Sequence, residues 1–145
     1  MKSAVLLAAV ILSFGTASNA FAACADPAAP KVDWSGCSLT KADLSGVDLS
    51  FANLKHANLS DANLTGVNLT KAKLNDANLN QANLDQAKLY KAFLYGADLT
   101  NADLRNANLY GAFLTGAKLI RARLTGATWI DGRMCQEGSR GKCNY

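Results

Sequence analysis

From Val32 to Asp131 the chain repeats one arrangement of apolar and polar positions every five residues, twenty times without an insertion. The last apolar position of each unit is Leu in eighteen consecutive units, Leu39 through Leu124, and Trp34 and Trp129 hold the same phase at the two ends. Two residues earlier stands a small residue: Ala in sixteen units, Val32, Val47 and Val67 in three, Cys37 in one. A period of five matches neither the 3.6 of a helix nor the 2 of a long strand, so regular amphipathic elements are excluded. Within a unit the two apolar positions are two apart and share a face, as in an extended segment. Five is odd, so the alternation must be reset once per unit, and the reset is a turn. Gly36, Gly46, Gly66, Gly96, Gly111, Gly116 and Gly126 all lie two after the Leu or Trp, where a turn needs them. A chain that turns every few residues and always buries the same side winds into a coil. Stacked coils pair their backbones at about 4.8 Å and enclose a column of Leu and Ala.

Units such as Ala97-Asp98-Leu99-Thr100-Asn101, Ala57-Asn58-Leu59-Ser60-Asp61 and Ala62-Asn63-Leu64-Thr65-Gly66 resemble the A(D/N)LXX unit of pentapeptide-repeat proteins. The resemblance covers 100 of the 145 residues. It implies an all-β fold, a right-handed quadrilateral β-helix with four repeats per coil. Twenty repeats then make about five coils, a rod roughly 20 to 25 Å tall. Residues twenty apart in sequence should lie one above another.

The ends depart from the repeat. Met1 to Ala22 has the make-up of a secretory leader: Lys2, an unbroken apolar run from Ala4 to Leu12, and small residues around a cleavage point at Ala20-Phe21-Ala22. Nine apolar residues fall far short of the roughly 20 that a membrane span needs. The expectation is a helix apart from the rod, removed on export to the periplasm or exterior. Ala22-Ala23-Cys24 also permits the alternative of a lipoprotein anchored at Cys24. Residues 23–31, with Pro27 and Pro30, read as an irregular linker and cap, 32–131 as the repeat domain, and 132–145 as a C-terminal cap. Trp34 and Trp129 are sized to cover the open ends of a leucine column. Four cysteines, Cys24 and Cys37 before the first full coil and Cys135 and Cys143 after the last, read as two disulfides in an exported chain. Three connectivities exist; Cys24 with Cys37 and Cys135 with Cys143 is favoured. A zinc site would require the two ends of the rod to meet.

Outward positions are where function can be written. Just before the buried Leu or Trp, twelve of twenty positions are Asn or Asp, including the ladder Asp43, Asn63, Asn83, Asp103. Stacked amides can bond one another, and these carboxylates do not converge on a point as a calcium site requires. Tyr90 and Tyr110 are twenty apart, as are Phe93 and Phe113, with Tyr95 beside them. Leu89, Leu94, Leu109 and Leu114 already fill the column behind them. Such an apolar patch, rimmed by Lys73, Lys88 and Lys91, suits a partner protein, a second copy of the chain as a homodimer, or a sugar ring. The competing reading is that stacked rings only stiffen adjacent coils.

Charge changes the picture little. Fifteen basic residues stand against eleven acidic ones, and without Lys2 the balance is 14 to 11, or +3. That excess is too small to imply nucleic acid. It is concentrated late: Arg105, Lys118, Arg121, Arg123, Arg133, Arg140 and Lys142 against Asp131 and Glu137, a surface that could hold lipid headgroups or a wall polymer. His56 is the single histidine, and no phosphate loop or His/Cys metal spacing appears, so the residues point away from an enzyme and imply no cofactor. Two readings of function remain. One is a non-catalytic exported scaffold or protein-interaction module that engages an unidentified protein or envelope component. The other, implied by the family resemblance, is a DNA mimic that engages DNA gyrase or a related topoisomerase.

Overall fold

A computed structural model describes residues 24–145; the leader expected at the N-terminus lies outside the described residues. The residue before each buried Leu pairs in parallel with its counterpart twenty positions on. These pairings define four columns. The first face carries Asp33, Asn53, Lys73, Phe93 and Phe113, and the second Ser38, Asn58, Asn78, Asp98 and Lys118. The third carries Asp43, Asn63, Asn83, Asp103 and Arg123, and the fourth Asp48, Asn68, Lys88, Asn108 and Thr128. One coil is therefore twenty residues, and five coils are stacked.

A unit inside the stack that carries Asp or Asn before its Leu can use all its amides, as the one from Asn63 to Val67 illustrates. Asn63 N–H donates to Ala42 in the coil below at 2.9 Å, while Leu64 and Gly66 donate to Asn83 and Asp85 in the coil above at 2.7 and 2.9 Å. Val67 N–H closes the turn onto the Leu64 carbonyl at 3.1 Å. The fifth amide, on Thr65, has no backbone partner within reach and takes the Asn63 Oδ1 at 3.2 Å. The same local bond from Asp or Asn recurs at Asp33, Asp43, Asp48, Asn58, Asn68, Asn78, Asn83, Asp98, Asp103 and Asn108. This local bond accounts for the Asp or Asn before the buried Leu or Trp in those units. Rungs between coils occur where an Asn lies over an Asp: Asn53 on Asp33, Asn63 on Asp43 and Asn68 on Asp48. Asn53 turns its amide onto both Asp33 oxygens and leaves its own Oδ1 buried without a partner.

The third residue of each turn from Lys31 to Gly126 has positive φ, the requirement of a type II turn. Glycine supplies it at the seven positions named above, but thirteen others, among them Lys41, Phe51, His56 and Gln81, adopt it without glycine. Inside, every Leu from Leu49 to Leu109 and every Ala from Ala52 to Ala107 is sealed from solvent to within 1%.

The end layers are closed over half their cross-section. At the start, Cys24 is bonded to Cys37, and Trp34 Nε1 donates to the Asp26 carbonyl at 3.2 Å. This covers the side near Trp34 and leaves Ala42 and Val47 partly exposed. After the last coil the chain reverses and runs antiparallel over the third and fourth faces, with Arg140 beside Arg123 and Met134 beside Thr128. Leu124 and Gly126 donate to Ser139 and Cys135, and Cys135 donates back to Ala127. The Cys135–Cys143 bond ties this tail, and buried Ser139 holds it internally, donating to Gln136 at 2.7 Å and accepting from Asn144 at 3.0 Å. Over the first and second faces the column stays open: Leu114, Ala117 and Leu119 are only partly buried, and the amides of Leu114, Gly116 and Leu119 have no acceptor among the described residues.

Candidate binding surface

On the first face the outward residue before each Leu changes along the rod from Asp33 through Asn53 and Lys73 to Phe93 and Phe113. The twenty-residue register brings the two Phe rings together as a parallel stack, 5.0 Å between centroids and 8° between planes. Tyr95, at the corner between the first and second faces, lies 5.7 Å from Phe113 and 6.4 Å from Phe93. At the opposite corner Tyr90 and Tyr110 are 5.9 Å apart and tilted by 34°. Tyr90 and Phe93 are half-buried under their partners, whereas Tyr110 and Phe113 remain 48% and 41% exposed. Beyond Phe113 the column has no further paired residue among the described residues, and the ring remains part exposed. The patch is thus a set of ring edges, not a row of flat platforms.

Lysines frame it. Lys91 Nζ sits 5.1 Å from the Tyr90 ring centre, and Lys73 precedes Phe93 in its column. Sequence reasoning missed Phe51, which lies on the same corner as Lys91, is exposed, and carries Lys71 Nζ 5.4 Å from its ring. The twenty-residue rule contained that contact, because Lys71 follows Phe51 by one coil. Tyr145 was missed as well: the Arg133 guanidinium covers its ring at 3.4 Å, and its hydroxyl donates to Asp131.

The basic run does not form one surface. Arg105 makes a two-pronged bond to Asp103, and Arg123 reaches the same carboxylate from the coil above at 3.2 Å. Burial acts most strongly on Asp103 and would raise its pKa. The hydrogen bonds of Arg105 and the charges of Arg123 and Arg105 outweigh it and hold the carboxyl below its usual range. Arg133 is tied to Asp131 at 2.6 Å. Lys118, Arg121, Arg140 and Lys142 form no ion pair among the described residues and lie around the C-terminal end. A shallow cleft of about 340 Å³ lies between Arg105, Arg123, Glu137 and Arg140, with no nucleophile poised against a base.

His56 occupies an outward corner with Nδ1 3.9 Å from Asp76 in the next coil, both side chains well exposed. No group of three or more His, Cys, Asp or Glu side chains is placed to hold a metal ion among the described residues. None of the described helices is long and apolar enough to cross a membrane.

A family model of pentapeptide repeats matches eight copies over residues 31–61, 62–101 and 97–128. A pentapeptide repeat protein from the thylakoid lumen of Arabidopsis thaliana is 33% identical over 68% of this chain and 72% of its own, with a TM-score of 0.54. A pentapeptide repeat protein of Nostoc PCC 7120 is 38% identical over 64% of this chain and 68% of its own, TM-score 0.37. QnrB1, a plasmid-mediated fluoroquinolone resistance protein, is 16% identical over 70% of this chain and 71% of its own, TM-score 0.26. A comparison with curated proteins finds no match. With the repeat matched over most of its length and the four-sided coil in place, the chain belongs to the pentapeptide repeat family and folds as a right-handed quadrilateral β-helix.

Proposed function

We propose that the chain is an exported, non-catalytic binding scaffold whose working surface is the aromatic patch of Tyr90, Phe93, Tyr95, Tyr110 and Phe113. One observation carries this reading. Large apolar rings stand on the outside of a rod whose interior is already filled, so packing alone does not account for them. Export is supported by the leader-like N-terminus and by two disulfides, which persist in oxidising compartments. Pairing with Cys37 occupies the Cys24 sulfur that a lipid anchor would require, which favours a free exported protein over the anchored form. The gyrase reading rests on an acidic, DNA-like rod, whereas the chain after its leader carries 14 basic and 11 acidic residues.

Two measurements test the proposal. Cell fractionation should recover the processed protein outside the cytoplasm with its cysteines oxidised; a reduced, cytoplasmic protein would contradict it. The double variant Phe93→Ser/Phe113→Ser should keep its circular dichroism spectrum yet lose the partners that the parent chain captures from envelope extract. Capture unchanged in the variant would reduce the patch to a stiffening device.

A further inference from the structure

The C-terminal end of the rod gathers three features. The first is apolar exposure. Among the described residues eight large hydrophobic side chains remain exposed, and seven of them belong to the last two coils and the tail, Phe51 being the exception. Ile120 and Met134 are exposed by 61% and 66%, at the end where the leucine column is half open. The second is charge. Residues 112–145 hold six cations (Lys118, Arg121, Arg123, Arg133, Arg140, Lys142) against Asp131 and Glu137, a balance of +4. Residues 24–111 hold eight basic and nine acidic residues, a balance of −1, so the whole positive excess of the chain lies at this end. The third is backbone: the amides of Leu114, Gly116 and Leu119 are unpaired at the open half and can donate to anionic oxygens.

We infer that this end is a docking tip for an anionic lipid bilayer. The inference deepens the scaffold reading and rests on it, naming the envelope component as membrane surface. Apolar side chains at the tip enter the headgroup boundary, the free cations meet lipid phosphates, and the open amides are satisfied at headgroup depth. A second copy is disfavoured, because a two-fold contact through this end would bring Lys118, Arg121, Arg140 and Lys142 against their own copies. A protein partner is disfavoured by the lack of an apolar pocket for an anchoring side chain: the cleft nearby is shallow and lined mostly by charged and polar residues. A bilayer boundary needs no matching pocket.

Sedimentation with lipid vesicles tests this, using the protein as the cell processes it. Binding should be seen to phosphatidylcholine vesicles containing phosphatidylglycerol and not to phosphatidylcholine alone, and it should weaken as salt is raised. Each basic residue near an anionic surface is worth about fivefold in partition. The variant Lys118→Gln/Arg121→Gln/Arg140→Gln/Lys142→Gln should therefore bind roughly a hundredfold or more weakly, with its thermal midpoint near that of the parent. A second variant, Ile120→Ser/Met134→Ser, removes apolar exposure at positions outside the column and should lose the binding that survives high salt. Absence of binding, equal binding to neutral vesicles, or full displacement by soluble dextran sulfate overturns the inference. If vesicles are ignored while Phe93→Ser/Phe113→Ser still abolishes capture from envelope extract, only the lipid assignment fails. If both results are negative, the scaffold reading falls with it.

Discussion

At the scale of single residues, an Asp or Asn before a buried leucine can supply what stacked coils cannot, an acceptor for the fifth amide of the unit. Asp and Asn perform this equally in geometry but differently with pH. Hydrogen bonds from the residue two positions on are the largest influence at Asp33, Asp43, Asp48 and Asp98, and they hold these carboxyls below the usual range. A carboxyl with a depressed folded pKa stabilises fully above its unfolded value, and the effect is lost as pH falls through the folded one. Thermal midpoints should accordingly be level from neutral pH down to about 4 and drop below that. Replacing Asp33, Asp43, Asp48 and Asp98 with Asn keeps each bond and removes the titration, so the drop between pH 4 and 2.5 should shrink. An unchanged drop would place the acid sensitivity elsewhere. Backbone strain offers a second residue-level comparison. Gly46→Ala meets open space and should cost about 1 kcal/mol, the penalty of positive φ alone. Gly126→Ala adds a Cβ 2.6 Å from Asn106 Oδ1, on a side chain already held by Asp85, so denaturant melts should rank it clearly worse.

At the scale of the coil, identical layers do not contribute identically, because the two ends are only half covered. Leu84 is fully buried with a coil on either side, and Leu84→Ala should destabilise by about 2 to 5 kcal/mol. Leu119 lies in the last coil with solvent on its outer side, and Leu119→Ala should cost less than half as much in the same denaturant titration. The tail is the other coil-level element. Removing its bond with Cys135→Ser/Cys143→Ser frees a short loop and should cost about 2 to 3 kcal/mol. Uncovering Leu124 and Ala127 should also produce larger species in size-exclusion chromatography. The column itself was legible from the period of five, because core, turn and face recur in phase. The tail was not. Its antiparallel pairing with Ala122, Leu124 and Ala127 follows no repeat, so the sequence announced a cap at Cys135 and Cys143 without saying which half of the end it covers.

At the scale of the whole molecule, contacts form only between neighbouring layers, and a single count organises the exterior. The twenty-residue spacing places Phe93 with Phe113 and Tyr90 with Tyr110. It also contained two relations that the sequence reading passed over, Lys71 on Phe51 and Arg123 on Asp103, the second of which takes an arginine out of the supposed basic surface. What spacing could not convey was the axial arrangement of charge against open core, since that depends on where the tail lies. The same count has a consequence for how such a rod changes length. Duplicating five residues between Phe93 and Phe113 leaves every leucine inside, because the interior is indifferent to quarter turns. It carries Phe113 round to the neighbouring side and parts the rings, so the duplicated chain should melt cooperatively while its near-ultraviolet circular dichroism loses the stacked-ring signal. Only gains or losses of twenty residues keep the sides aligned. Slippage in a gene of this kind is therefore silent to the core and legible only on the outside, a ready way to shuffle surfaces without risking the fold.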